Sequence, residues 1–384
     1  MDILVISWNY PPRRGGIENL LDNLCSGLRG KHRVFVITSF AKKPYPNAPD
    51  TFRAPLAGLI PFAVYALWRG ALVLARCRRI GVVFGGSALT TPLVLILSRS
   101  FRRRAVVLIH GLDVIHPKFF YQLLCVRWLK FCDRVIANSN YTAALARLKA
   151  VAQQRLTVIP PGVQPERFNI STDVIATKRH WNIEDRKIIL FVGRLAKRKG
   201  IKEFVETSLG EIIRETPETV FLIIGDNPTD SLTHHHHDVV EEINAVASKS
   251  GLEKQVRLLG AVSNDEKIRL YQACDVVVLP ALDLKEDVEG FGIVALEGAA
   301  AGKPIVAMRV GGIPDAVEDG KGGILVDPGD YRALTGAVNA ILNDAAKAFA
   351  IGFYARERAK RDFSWNQIIA TYGQMLSSFD NASK

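Results

Sequence analysis

Short apolar runs alternate with longer amphipathic stretches along the whole chain. Residues 3–7, 34–39, 82–84 and 105–109 are rich in Val, Ile and Leu with few polar interruptions. Runs of that kind suit strands buried on both faces of a parallel sheet. Residues 133–138 predict the last strand of this first series, with Ser139 or Asn140 capping the helix behind it. A second series follows at 188–192, 220–225, 256–259, 275–280 and 304–308. Strand and helix alternating twice over predict an α/β protein made of two doubly wound, Rossmann-like domains. The stretch 157–163 (TVIPPGV) cannot continue as helix, and the boundary is placed near residue 168, giving 1–168 and 169–362.

Two segments of the first half stand apart. Residues 41–54 are polar and Pro-rich and predict a surface loop. Residues 61–79 predict a helix whose apolar face holds Phe62, Tyr65, Leu72 and Leu74, with Arg69, Arg76, Arg78 and Arg79 towards its end. Packing against the sheet is the preferred reading, because a crossover helix needs a wide apolar stripe; a membrane-facing helix is the alternative.

A length of 384 residues, 48% of them hydrophobic, supplies two cores. The five cysteines (Cys25, Cys77, Cys125, Cys132, Cys274) form no CxxC pair and predict reduced core residues. The opening MDILVIS is a strand and not a charged leader, and Arg69 interrupts the longest apolar run. These features predict a cytoplasmic protein. Charge changes the picture further. Residues 1–165 hold 23 Lys+Arg against 6 Asp+Glu, while the remainder holds 27 against 32. A basic half of this kind suits an anionic membrane. Nucleic acid is disfavoured, since no nucleic-acid-binding motif accompanies the charge.

Chemistry concentrates in residues 287–314. Glu289 and Glu297 are separated by seven residues, with a Gly-Phe-Gly turn after the first. Small apolar residues from 292 to 301 predict a buried helix starting near Phe291, Gly292 and Ile293 and ending at Gly302. Its first N–H groups have no intrahelical partner and its dipole is positive there, which suits an anionic or hydroxyl-rich ligand. On one helix the two carboxylates would stand about two turns apart, gripping different parts of an elongated ligand. Gly311-Gly312 predict a second turn close to the first. Arg194 and Lys199, behind the strand at 188–192, offer two cations at a helix start, good chemistry for a diphosphate. Strand, Gly15-Gly16 and helix near the N-terminus can bring backbone N–H groups under a phosphate. This is no GxGxxG fingerprint, so a nicotinamide cofactor is disfavoured. His110 lies just past a strand end, where open α/β sheets bind ligands. Asp283, Glu286 and Asp287 read as loop carboxylates, and residues 234–237, four histidines, as an exposed tract; no metal site is predicted.

Taken in order, PPRRGGIE, the HGxD strand end, GR…KG and Glu289-x7-Glu297 resemble the retaining glycosyltransferases of family 4. The resemblance covers essentially the whole chain. It implies the GT-B fold, two Rossmann-like domains facing across a cleft, with a last helix from about 363 returning to the first domain. The wording DVEGFGIV and VVFGG is most similar to phosphatidylinositol mannoside mannosyltransferases. By that resemblance His110, Arg194, Lys199 and Glu289 are catalytic. Gly15, Gly16, Gly193, Val262, Phe291, Gly292, Ile293 and Glu297 bind the donor, and Arg13, Arg14 and Glu18 lie on the acceptor side. It implies no cofactor and no metal: the co-substrate is a nucleotide-diphosphate sugar, GDP-mannose placed ahead of a UDP-sugar. The acceptor is a glycolipid or glycan at the inner face of a membrane. The acidic residue that reads guanine in such relatives is missing at Ser263, although Asp265 or Glu266 lies nearby. An epimerase or phosphorylase, and a silent sugar-nucleotide-binding protein, are the rival readings.

Overall fold

The computed structural model describes residues 1–13, 15–42, 50–169, 173–227 and 238–381. Arg14 and the histidines at 234–237 lie outside the described residues. The chain divides into two compact units, Met1–Gly162 with Trp365–Lys384, and Val163–Ser364.

The first unit holds β1 (Asp2–Ser7), β2 (Val34–Thr38), β3 (Thr51–Arg53), β4 (Ile80–Gly85), β5 (Arg104–Ile109), β6 (Arg134–Ala137) and β7 (Leu156–Val158). All pairs are parallel, in the order β3-β2-β1-β4-β5-β6-β7. Side chains alternate across the sheet as the strand period demands. Leu4 and Ile6 enter one core, while Ile3 and Val5 enter the other. That second core is completed by Ile368, Tyr372 and Leu376 of the helix Trp365–Asn381. The end of the chain is therefore part of the first unit, and Gly162 lets it in: a Cβ there would run into the Trp365 ring.

The second unit holds β8 (Lys187–Val192), β9 (Thr219–Ile224), β10 (Val256–Gly260), β11 (Val276–Leu279), β12 (Ile305–Met308) and β13 (Ile324–Val326). Its order is β10-β9-β8-β11-β12-β13, again parallel. In both sheets the connectivity reverses beside the first strand, between β1 and β4 and between β8 and β11. Ligand sites of open α/β sheets form at the carboxyl ends of such strands.

Five expectations change. The strand at 133–138 is not the last of its sheet, because β7 adds to it as an edge of three residues. The polar stretch 41–54 ends in β3, which pairs with β2. Val163 N–H donates to Phe363 O, and Phe168 is buried in the second core. The division accordingly falls at Gly162, not near 168. The helix Leu59–Arg76 is, by length and composition, apolar enough to cross a membrane despite Arg69. Nor is it mostly covered: a stripe of Phe62, Ala66, Gly70, Val73 and Leu74 packs inward, and only 28% of the helix is buried.

Candidate functional site

Behind β8 the chain must turn tightly, and glycine permits it. Gly193 has φ +151 and Gly200 has φ +65; a Cβ on Gly200 would collide with Pro280 O at the end of β11. The single turn Lys197–Lys199 between them is thereby pressed against the β11 loop, and Leu282 N–H donates to Arg198 O at 2.8 Å. Lys199 Nζ donates to Glu289 Oε2 at 2.6 Å, with both side chains nearly buried. Arg198 stands 3.3 Å from Asp287 and 3.6 Å from Glu289. Burial pushes the Glu289 carboxyl up, but Lys199, Arg198 and Arg194 together outweigh it and hold it down to about 2. Burial is also the largest influence on Lys199 and lowers it, while Glu289 pulls it back. The carboxylate is the more firmly ionised partner. Arg194 is exposed, yet near enough to act on both groups.

Glu289 does not share a helix with Glu297, which corrects the two-turn spacing. The helix is Ile293–Ala300, and Gly292 at its N-cap is left-handed with φ 84, so Glu289 sits in the loop before it. Gly312 N–H donates to Glu289 O at 2.9 Å; a Cβ on Gly311 or Gly312 would strike this loop's backbone. The two glycine turns are in contact, as the sequence suggests. Phe291 is buried edge-on against Phe363, ring centroids 6.0 Å apart. Ile293 and the residue after it open the helix, so their N–H groups have no intrahelical partner.

Glu297 is separately fixed. Its Oε1 accepts from Lys267 Nζ at 2.6 Å and its Oε2 from Tyr271 O–H at 3.0 Å. Burial and then Glu297 push the Tyr271 phenol well up, so it stays a donor. Lys267 and Tyr271 are not among the residues the sequence singles out, although their spacing of four puts them on one helical face. Val262 is half-buried against the second core. Ser263 caps the helix Asn264–Ala273: its Oγ accepts from Glu266 N–H and its own N–H donates to the Glu266 carboxylate. Glu266 is engaged in that cap.

In the first unit, Glu18 is buried and accepts from Asn9 Nδ2 at 2.7 Å. Gly15 lies against the Glu18 carboxylate and Gly16 opens the helix Gly16–Leu28. Arg13 stacks over the Trp8 ring at 4.8 Å. His110 is buried with Nε2 2.9 Å from Gly86 O, and its N–H donates to Asp113. Asp113 also accepts from Ala88 N–H. Beside these, Ser87 Oγ and Asn138 Oδ1 are buried without a hydrogen-bond partner. Among the described residues, no group of three or more His, Cys, Asp or Glu is placed to hold a metal ion.

Two family models match consecutive parts of the chain: glycosyltransferase family 4 over residues 14–167, and glycosyl transferases group 1 over residues 174–358. The chain is 28% identical to the GDP-mannose-dependent alpha-(1-6)-phosphatidylinositol monomannoside mannosyltransferase of Mycolicibacterium smegmatis, covering 98% of each protein. Among solved structures, the sucrose-phosphate synthase of Thermosynechococcus elongatus superposes with TM-score 0.82 at 23% identity, covering 100% of both chains. HepE of Anabaena, in complex with UDP, superposes with TM-score 0.79 at 22% identity, covering 98% of this chain and 100% of its own. With two parallel α/β units of seven and six strands and these matches, the chain has the GT-B fold and is a glycosyltransferase, built of a family 4 domain over residues 14–167 and a group 1 domain over residues 174–358.

Proposed function

We propose that the protein is a retaining, metal-independent hexosyltransferase that moves mannose from GDP-mannose to a glycolipid or glycan acceptor. It works as a peripheral protein on the cytoplasmic face of an anionic membrane. The observation that carries the transfer chemistry is the buried Lys199–Glu289 pair at the β8/β11 switch point. Arg198 and Lys199 stand against Asp287 and Glu289, and Arg194 is near enough to act on the Lys199–Glu289 pair. A diphosphate is an anion that such a group of cations beside a helix start suits.

Charge moves onto the leaving diphosphate as the bond from sugar C1 to the phosphate oxygen breaks. Arg194, Lys199 and the N–H groups of Phe291, Gly292 and Ile293 neutralise it, and preorganised donors in a dry site are the strongest form of such help. Glu289, ionised, accepts from hydroxyls of the transferred sugar. Glu297, held by Lys267 and Tyr271, accepts from the ribose. By the family resemblance, Gly15, Gly16 and Gly193 are assigned to the phosphates, Val262 to the base and His110 to the donor sugar. Arg13, Arg14 and Glu18 serve the acceptor. The acceptor oxygen bonds to C1 on the face the phosphate leaves, and its proton passes to the departing phosphate oxygen. The mannose and GDP assignments lean on the near-full-length mycobacterial relative.

One observation favours a second reading, a UDP-sugar donor: Glu266 is tied up in the helix cap, and Ser263 supplies no carboxylate. Competitive titration with GDP and UDP separates the two, and NMR of the product's anomeric centre tests retention. GDP is expected to bind more tightly. UDP tighter by tenfold, about 1.4 kcal/mol, would overturn GDP-mannose and leave the transferase intact.

A further inference from the structure

The first unit carries an uncovered apolar surface that the transfer chemistry does not use. Its first part is the outward side of the helix Leu59–Arg76, where Ile60, Val64 and Trp68 recur four residues apart, Ile60 at 78% exposure. Its second part is the helix Phe119–Leu124, which is anchored to the core by a partly buried Tyr121, while Phe119 and Phe120 are each 71% exposed. Trp128 and Phe131 follow in the turn Val126–Phe131, exposed and with ring centroids 5.7 Å apart. Both parts lean on one intervening helix, Thr91–Ser100. Leu97 of that helix lies against Gly70, and Arg99 donates to Phe131 O at 2.8 Å. Aromatic side chains exposed to water on adjacent elements mark a partner surface.

Charge identifies the partner. Residues 51–132 contain 12 Lys+Arg and a single acid, Asp113. That carboxylate is spent on the N–H groups of His110 and Ala88. The surface is thus apolar and aromatic with basic residues among it and no acidic one to repel an anion. A protein groove would ordinarily mix both signs, whereas an anionic lipid monolayer presents acyl chains under a uniformly negative plane. We propose that Trp68 and the aromatic cluster Phe119, Phe120, Trp128 and Phe131 insert into an anionic lipid monolayer, with Arg and Lys side chains seated at its headgroups. This deepens the membrane assignment made above by replacing simple surface attraction with insertion.

The full chain is tested with vesicles of phosphatidylglycerol and phosphatidylcholine, with brominated acyl chains as the quencher. Trp fluorescence is expected to be quenched, and the quenching to fall by more than half in Trp68→Phe/Trp128→Phe. Phe119→Ser/Phe120→Ser is expected to weaken vesicle binding at least tenfold while donor hydrolysis in detergent-free buffer stays within twofold of wild type. Part of the wild-type binding is expected to survive 0.5 M salt, because acyl contact is not screened. Binding without quenching that salt abolishes keeps the surface attraction and overturns insertion. No binding to any vesicle overturns both. A concentration-dependent dimer that the Phe119→Ser/Phe120→Ser variant dissolves assigns the face to a second copy, and the proposal falls.

Discussion

The carboxyl ends of the two sheets share a topology and differ in what they hold. At β8 and β11 the site is built from full charges, Lys199, Arg198, Glu289 and Asp287, paired at 2.6–3.6 Å and largely out of water. At β4, β5 and β6 it is built from hydrogen bonds with backbone, His110 to Gly86 and Asp113 to Ala88, next to unpartnered Ser87 and Asn138 atoms. One end can answer a charged group that arrives and leaves. The other can answer hydroxyls, whose partners are neutral donors and acceptors. A parallel sheet thus provides a place for a ligand, and the loop residues decide its chemistry.

The sharpest way to break this contrast is Lys199→Ala. A charge-assisted hydrogen bond is worth about 1.5–3 kcal/mol, so kcat/KM is expected to fall roughly ten- to a hundredfold. Stability should fall too, by about 3 kcal/mol, because Glu289 is left buried with Arg198 and the exposed Arg194 as its remaining cations. Lys199→Ala/Glu289→Gln is expected to regain stability and not turnover, as thermal unfolding and steady-state kinetics would show. Exposed Arg194→Ala belongs at the tenfold end. Unchanged kcat/KM in both variants removes the diphosphate assignment. The pH dependence carries a definite sign. Glu289 is depressed to about 2, so its contribution is complete above the ordinary glutamate range and is lost as pH falls from about 4.5 towards 2. Lys199, lowered by burial, has the same sign in another window: the unfolded chain takes up the lysine proton first, so stability is lost as pH falls below the ordinary lysine value. Acid unfolding of wild type and Glu289→Gln should therefore converge below pH 4.5 and run parallel above it.

A smaller effect is expected at the neutral end. His110→Ala removes the group facing Gly86 O, a side-chain to backbone hydrogen bond worth about 0.5–1.5 kcal/mol. Transfer should slow by up to tenfold with the affinity for free nucleotide unchanged in calorimetry. A drop in nucleotide affinity equal to that of Lys199→Ala would erase the division of labour between the two ends.

How far the sequence reached follows the same physics. The inner strands were legible because they are buried on both faces and hence uniformly apolar, as in ILFV of β8. The edge strands β3, β7 and β13 were not, since three residues of TFR, LTV or ILV carry no measurable period. Lys199, Glu289, Gly292 and Gly312 announce themselves by residue type at tight turns. Their three-dimensional meeting, Gly312 N–H on Glu289 O, depends on β11 and β12 being neighbours. Lys267 and Tyr271 were hidden because their partner Glu297 lies on another helix. They give the next test. Tyr271→Phe should raise donor KM by about three- to tenfold with kcat little changed, from one lost hydrogen bond near 1 kcal/mol. Lys267→Met should do at least as much. Equal losses in kcat and kcat/KM would place Glu297 in the reacting region instead of at the ribose.

The smallest effect is expected at Ser263, next to Val262, which the proposed function assigns to the base. Its Oγ accepts from Glu266 N–H at 3.2 Å, and the Glu266 carboxylate returns to Ser263 N–H at 2.9 Å. Those bonds, with smaller help from the charges of His180 and Arg269, hold Glu266 below its ordinary range. The box is exposed, so Ser263→Ala should cost about 0.5 kcal/mol, the low end for an N-cap. Its informative consequence is the nucleotide preference. A Glu266 freed by the lost cap can turn towards a neighbouring base, and an ionised carboxylate can accept guanine's paired N–H donors but finds no such pair on uracil. The proposal leaves the base to backbone around Val262, so Ser263→Ala should keep the ratio of GDP to UDP affinities within twofold even with Glu266 freed. A ratio rising tenfold towards GDP in Ser263→Ala, and returning in Ser263→Ala/Glu266→Gln, would show that the cap restrains a guanine reader.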